Sequence, residues 1–235
     1  MKWILRRVQM SKSKVILLGL LLFIILAATH NANARPMIRV AVIDTGYTEG
    51  GSDAKPCPGS DMPADIAQSK HGSNVAGIIA QGVQPSNDVC FLIYRIFRKE
   101  GSALKFDLFL YLNALNSAIN DNATIVNLSV SGNGLVLAEA LLIRRMLARN
   151  ITIVAAAGND SIDFSKTGCN VFPACADPRI IVVANSAGTT SNLGPQIDAF
   201  ENGGQRSANG VVLSGTSQAA AAHTGRIIRR FLGME

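Results

Sequence analysis

Apolar residues along this chain fall into short β-branched runs separated by stripes with helical spacing. Ile38 to Ile43 (IRVAVI) is such a run, closed by Asp44-Thr45-Gly46, and predicts a buried strand followed by a turn. Tyr47 to Lys70 is rich in Gly, Pro, Ser and Asp and predicts a loop. From His71 to Val83 the spacing of Val75, Ile78 and Ile79 suits a helix. Val89 to Phe97 (VCFLIYRIF) predicts a strand. Phe106 to Ile119 predicts a helix, with apolar residues at 106, 108, 109, 112, 115 and 119. Thr124 to Val130 predicts a strand and Leu135 to Ala148 a helix, with Arg144, Arg145 and Arg149 where cations suit the helix dipole. Ile151 to Ala155 and Arg179 to Ala184 predict further strands, and Ser217 to Phe231 the last helix. Strands thus alternate with helices, and the strands carry no clear polar alternation, as expected when both faces are covered. The pattern predicts an α/β fold with a mainly parallel central sheet and helices on both faces. No internal repeat or second domain is visible.

Composition changes this picture mainly at the N-terminus. Lys2, Arg6, Arg7, Lys12 and Lys14 precede an apolar run from Val15 to Ala28, interrupted only by Gly19, and then Ala32-Asn33-Ala34. That order predicts a secretory signal peptide over 1–34, cleavage after Ala34, and one good-sized domain over 35–235. The run has 14 residues, short against the roughly 18 needed to span a bilayer, so an uncleaved signal segment is the sole membrane attachment expected. The formal net charge is +6, but beyond Ala34 the chain holds 17 basic and 16 acidic residues. A basic face for nucleic acid is therefore not expected. A charged fraction of 16% also excludes a disordered binding module. Cys57, Cys90, Cys169 and Cys175 form an even set, which in an exported protein predicts disulfides. Of the three pairings, nearness in sequence favours Cys169–Cys175, leaving Cys57–Cys90. Zinc is disfavoured because no CxxC pair exists and His30, His71 and His223 are not grouped with the cysteines. A secreted or periplasmic location follows.

The candidate chemistry sits at the ends of these elements. Asp44 closes the first strand, His71 opens a helix in HGSNVAG, and Ser217 opens the last helix in SGTSQAAAA. In a parallel sheet, strand C-termini and helix N-termini share one edge, so residues far apart in sequence converge there. Ser217 could serve as nucleophile, His71 as general base and acid, and Asp44 as the group that fixes the imidazole tautomer and stabilises the imidazolium. Asn159, in AAAGND, and the Ser217 backbone N–H are the candidate oxyanion donors.

The order Asp, His, Ser in these surroundings resembles the subtilisin family of serine proteases. The blocks VAVIDTGY, HGSNVAGIIA, IVNLSVSG, IVAAAGND, SNLGPQIDAF and SGTSQAAA carry the resemblance, which runs from about Ile38 to about Arg226. It implies a three-layer sandwich, a serine endopeptidase acting through an acyl-enzyme, and a protein or peptide substrate. Ser129, Val130 and Ser131 would pair with extended substrate. Ala156, Ala157 and Gly158 would form the other wall of the first specificity pocket. The rival reading is a catalytically idle binding protein of the same fold. An α/β-hydrolase esterase fails on motif, because Gly215-Thr216-Ser217-Gln218-Ala219 lacks the second glycine of GxSxG.

The chain departs from the family pattern in several places. Asn74 stands where the family commonly has a second histidine, Ser131 where it has a glycine beside the specificity pocket, and Gln218 where a methionine often follows the nucleophile. His223 falls outside a matching position and is expected to be structural. Ile79 to Pro85 leaves no room for the family's calcium loop, and no carboxylate cluster suits calcium, so no metal and no cofactor are expected. Only Arg35, Pro36 and Met37 separate the expected cleavage point from the first strand. The family's prodomain has no counterpart there. Either the domain folds unaided, or a separate inhibitor or folding partner takes the prodomain's place. Asn122, Asn127, Asn150 and Asn159 lie in glycosylation sequons, of which Asn127 is expected in a buried strand.

Overall fold

Residues 36–48, 54–66, 69–83 and 86–234 are described by a computed structural model; the expected signal segment 1–34 and its cleavage point lie outside the described residues. In chain order the elements are β1 (Ile38–Asp44), α1 (His71–Val83), β2 (Val89–Arg95), β3 (Phe97–Glu100), β4 (Ala103–Phe106), α2 (Leu108–Asn120), β5 (Ile125–Leu128), β6 (Gly132–Asn133), α3 (Leu137–Ala148), β7 (Thr152–Ala156), α4 (Phe164–Thr167), β8 (Val171–Phe172), β9 (Ile181–Asn185), β10 (Ala199–Glu201), β11 (Arg206–Ala208), β12 (Val211–Leu213) and α5 (Thr216–Phe231).

Six strands form a parallel sheet in the order β10-β9-β7-β5-β1-β2. Successive side chains of a strand point to opposite faces, and the two halves of the core follow from that period of two. Val40, Val42, Phe91, Ile93 and Val154 pack with residues of α1 and α5 on one face. Ala41, Ile43, Cys90, Leu92, Ile153 and Ala155 pack with α2 and α3 on the other. Both faces are dry, which is why the strand sequences read as continuous apolar runs. On the first face, Ala219, Ala220 and Ala221 are fully buried. A Cβ added at Gly82 would lie 3.4 Å from the Gly225 Cα. Small residues therefore let α5 and α1 approach closely.

The sheet and both helical layers match the expected α/β class, with local differences: the short elements β6, α4, β8, β10, β11 and β12 were not expected. Val89 to Phe97 is two strands rather than one, and Phe106 belongs to β4 rather than to the following helix. β3 and β4 form an antiparallel hairpin that sets Phe97 opposite Phe106, ring centroids 5.9 Å apart. An aromatic pair across a hairpin stabilises it by tertiary contact that a helical stripe cannot anticipate. The helix starts only after Asp107, whose carboxylate accepts from the Leu110 N–H at 2.9 Å as an N-cap.

Both expected disulfides are formed, Cys57–Cys90 and Cys169–Cys175. The first pins residues 55–57 beside β2, where the Phe91 N–H donates to Lys55 O and the Cys57 N–H to Phe91 O. β2 is the edge of the sheet, so the pinned segment covers an otherwise open ladder.

Candidate active site

β1 ends at Asp44, and its last residue is fully buried. The Asp44 carboxylate accepts from the Thr45 N–H at 2.7 Å and faces His71 Nδ1, with Oδ1 at 2.8 Å and Oδ2 at 2.9 Å. His71 is the first residue of α1, and the helix is held against β1 at that point. Thr45 Oγ1 accepts from the Gly72 N–H at 2.8 Å, and a Cβ at Gly72 would overlap the Gly46 carbonyl oxygen. The Thr-Gly after Asp44 and the glycine after His71 are thus one steric arrangement. It brings the imidazole onto the carboxylate.

A second acid stands near His71. Asp65 is buried; its Oδ2 accepts from Ser73 N and Ser73 Oγ at 2.8 and 2.6 Å, and its Oδ1 is buried without a hydrogen-bond partner. Burial pulls the His71 pKa down. The charge and hydrogen bond of Asp44, with the charge of Asp65 behind them, outweigh that and raise it above the ordinary 6.5. Nothing in the sequence singled out Asp65, because an acid in a Gly- and Pro-rich stretch looks like any solvated loop residue.

Ser217 lies in the first turn of α5 and is 8% exposed. Its Oγ donates to the Ser129 carbonyl at 3.3 Å, while Ser129 Oγ donates to the Ser217 carbonyl at 3.2 Å. Buried Asn127 anchors this exchange: its Nδ2 donates to Ser129 Oγ at 2.8 Å and its Oδ1 accepts from Thr224 Oγ1 at 3.0 Å. Asn159 is exposed, and its Oδ1 accepts from the Thr216 N–H at 3.0 Å. That bond orients the amide at the head of α5, and Asn159 Nδ2 makes no hydrogen bond among the described residues. Gly158 has φ +97°, and a Cβ there would strike Asn192 Nδ2, which donates to the Ala157 carbonyl at 2.9 Å. Asn192 Oδ1 also accepts from the Asp160 and Ile162 N–H groups at 3.0 and 2.9 Å. It therefore shapes the loop that presents Asn159.

A cleft of about 770 Å³ opens beside His71. Ser129, Val130 and Ser131 line it, together with Phe97, Leu104 and Phe106 of the β3–β4 hairpin. Ala156, Ala157 and Gly158 are buried at the end of β7 and are not among its lining residues. His223 is away from this cleft; its Nδ1 lies 3.0 Å from Glu201 Oε1, and Arg226 holds the other carboxylate oxygen at 2.9 Å. Asn74 is fully buried. Its Nδ2 donates to Arg206 O and Val211 O at 3.0 and 2.9 Å, and its Oδ1 accepts from Gln218 Nε2 at 3.0 Å.

Comparison with known proteins matches the model of the subtilase family to residues 37–228. This chain belongs to the subtilase family. It is 27% identical to subtilisin of Bacillus pumilus over 183 residues, covering 71% of this chain and 64% of that protein. It is 26% identical to the major intracellular serine protease of Bacillus subtilis strain 168 over 188 residues, covering 71% and 58%. The chain thus spans between half and two thirds of the length of these two relatives. Among solved structures, a lanthipeptide protease superposes with a TM-score of 0.65 at 18% identity, covering 80% of this chain and 71% of that one. The epidermin leader peptide processing serine protease of Staphylococcus aureus gives 0.64 at 19%, covering 82% and 64%. At these identities the superpositions speak for the fold.

Proposed function

We propose that this subtilase is a serine endopeptidase working through Asp44, His71 and Ser217 by an acyl-enzyme. The observation that carries the reading is the His71 Nδ1 contact with both Asp44 oxygens; Ser129 lines the same cleft as His71 and exchanges hydrogen bonds with Ser217 at the head of α5, where Asn159 accepts from the Thr216 N–H. With Nδ1–H held by Asp44, Nε2 is the free base. Substrate entry draws Ser217 Oγ from the Ser129 carbonyl toward Nε2; such contacts are often long before substrate binds. Nε2 takes the hydroxyl proton as Oγ bonds to the scissile carbonyl carbon. The oxyanion that forms receives donors from Asn159 Nδ2 and the Ser217 N–H at the α5 N-terminus. Collapse breaks the C–N bond, and His71 returns its proton to the leaving amine. Water then repeats the sequence on the ester and frees Ser217. Strand pairing of substrate with Ser129 to Ser131 is the matching binding mode, with Ala156 to Gly158 opposite.

Two disulfides suit an oxidising compartment, which supports a secreted or periplasmic location for the domain over 35–235 after removal of 1–34. A separate inhibitor or folding partner remains part of this proposal.

A fluorophosphonate probe tests the chemistry. The native protein is expected to label stoichiometrically and the Ser217→Ala variant not at all. A folded native protein that resists the probe would instead be the idle binding form.

A further inference from the structure

Glu139 is a buried acid that makes no ion pair among the described residues. It lies in the first turn of α3 and is 4% exposed, yet no Lys, Arg or His lies within 4 Å of its carboxylate among those residues. Buried acids are ordinarily paired. Its carboxylate accepts from the Tyr111 hydroxyl at 2.7 Å and from the Val136 backbone N–H at the helix start. Those two bonds leave about half of the carboxylate's acceptor sites unused. A neutral glutamine would serve both bonds as well, so neither explains the charge. Burial raises the Glu139 pKa, against the hydrogen bonds that lower it, as expected of an uncompensated acid.

Glu139 and Tyr111 line the same cleft as His71, and its other walls include Phe97, Leu104, Phe106, Val130, Phe172 and Pro173. The cleft is therefore mainly apolar, and Glu139 is the one carboxylate among its lining residues. Extended substrate paired with Ser129 to Ser131 would pass its mouth, sending alternate side chains toward it. A long side chain with an apolar stem and a cationic tip matches both features.

Building on the proteolytic reading, we propose that Glu139 is a specificity-determining residue that selects substrates carrying arginine or lysine at an alternate position (P2 or P4) on the acyl side of the scissile bond. The stem lies against the hairpin phenylalanines and Leu104, and the guanidinium or ammonium supplies the counter-charge that the fold omits.

The test separates binding from hydrolysis by using the Ser217→Ala protein. Fluorescein-labelled alanine-based hexapeptides carry arginine, its neutral isostere citrulline, or norleucine at P2 or at P4, and affinity is read by anisotropy. Arginine is expected to bind about tenfold tighter than citrulline at one of the two positions, and Glu139→Gln in the same background is expected to bring the ratio to within about twofold. The citrulline comparison leaves the protein unaltered, so the result stands even where Glu139→Gln does not fold. Equal binding of arginine and citrulline, tighter binding of norleucine, an arginine preference that survives Glu139→Gln, or no binding of any peptide would each overturn the proposal. Probe labelling of Ser217 in the native protein reports separately on the proteolytic reading, which stands or falls without Glu139.

Discussion

His71 has two acids near it, and they act differently. Asp44 holds Nδ1 directly, whereas Asp65 acts through its charge and through Ser73 in the same helix turn. Under the proposed mechanism the base works only when neutral, so activity should climb as pH rises through the His71 pKa, which lies above 6.5. Asp65 favours the protonated imidazole. Asp65→Asn should therefore lower that pKa and move the acidic limb of the kcat/KM profile to lower pH, with the plateau changed little because Asn can still accept from Ser73. An acidic limb that stays in place, or moves up, would show that Asp65 only holds the helix start. The pairing of Asp44 with His71 was legible because both sit beside residues forced by sterics, such as Gly72 against the Gly46 carbonyl. Asp65 and Glu139 were not, because their meaning lies in which groups fail to reach them, and no linear pattern records that.

Between elements, two departures from the family pattern turn out to be partners. Asn74 on α1 and Gln218 on α5 are both buried and hydrogen-bonded side chain to side chain at 3.0 Å. Asn74 also holds the β11–β12 hairpin through two carbonyls. The two substitutions read separately in the sequence as a lost histidine and a lost methionine. Their contact spans 144 residues, so only the folded sheet edge reveals it. Asn74→Ala leaves two carbonyls and an amide without their partner and should cost about 3 kcal/mol in urea unfolding. A double-mutant cycle with Gln218→Ala should return a coupling of about 1 kcal/mol; additive losses would mean that the bond contributes nothing. The β3–β4 hairpin was missed for a related reason. Phe106 fits the helical stripe that follows it, and only its packing on Phe97 and the Asp107 cap move it into a strand.

At the scale of the molecule, the two disulfides constrain different things. Cys57–Cys90 closes a separation of 33 residues, which contains Asp65, His71 and all of α1, and both its cysteines are buried. Cys169–Cys175 closes only six and is partly exposed. Loop-closure entropy then assigns about 4 kcal/mol to the first and about 2 kcal/mol to the second. The first also presses residues 55–57 along β2, so its loss uncovers the sheet edge next to β1, the strand that carries Asp44. Replacing Cys57 and Cys90 together by alanine should therefore lower urea-unfolding stability by more than the matching change at Cys169 and Cys175. It should also promote self-association, read by light scattering, which the second pair should not. Mild reductant should open Cys169–Cys175 first, followed by thiol labelling, because exposure governs attack on a disulfide. If the two double variants lost equal stability, the long loop would already be ordered by its own contacts before the bridge closes, and the hold on His71 would rest on the Thr45–Gly72 and Asp65–Ser73 bonds instead.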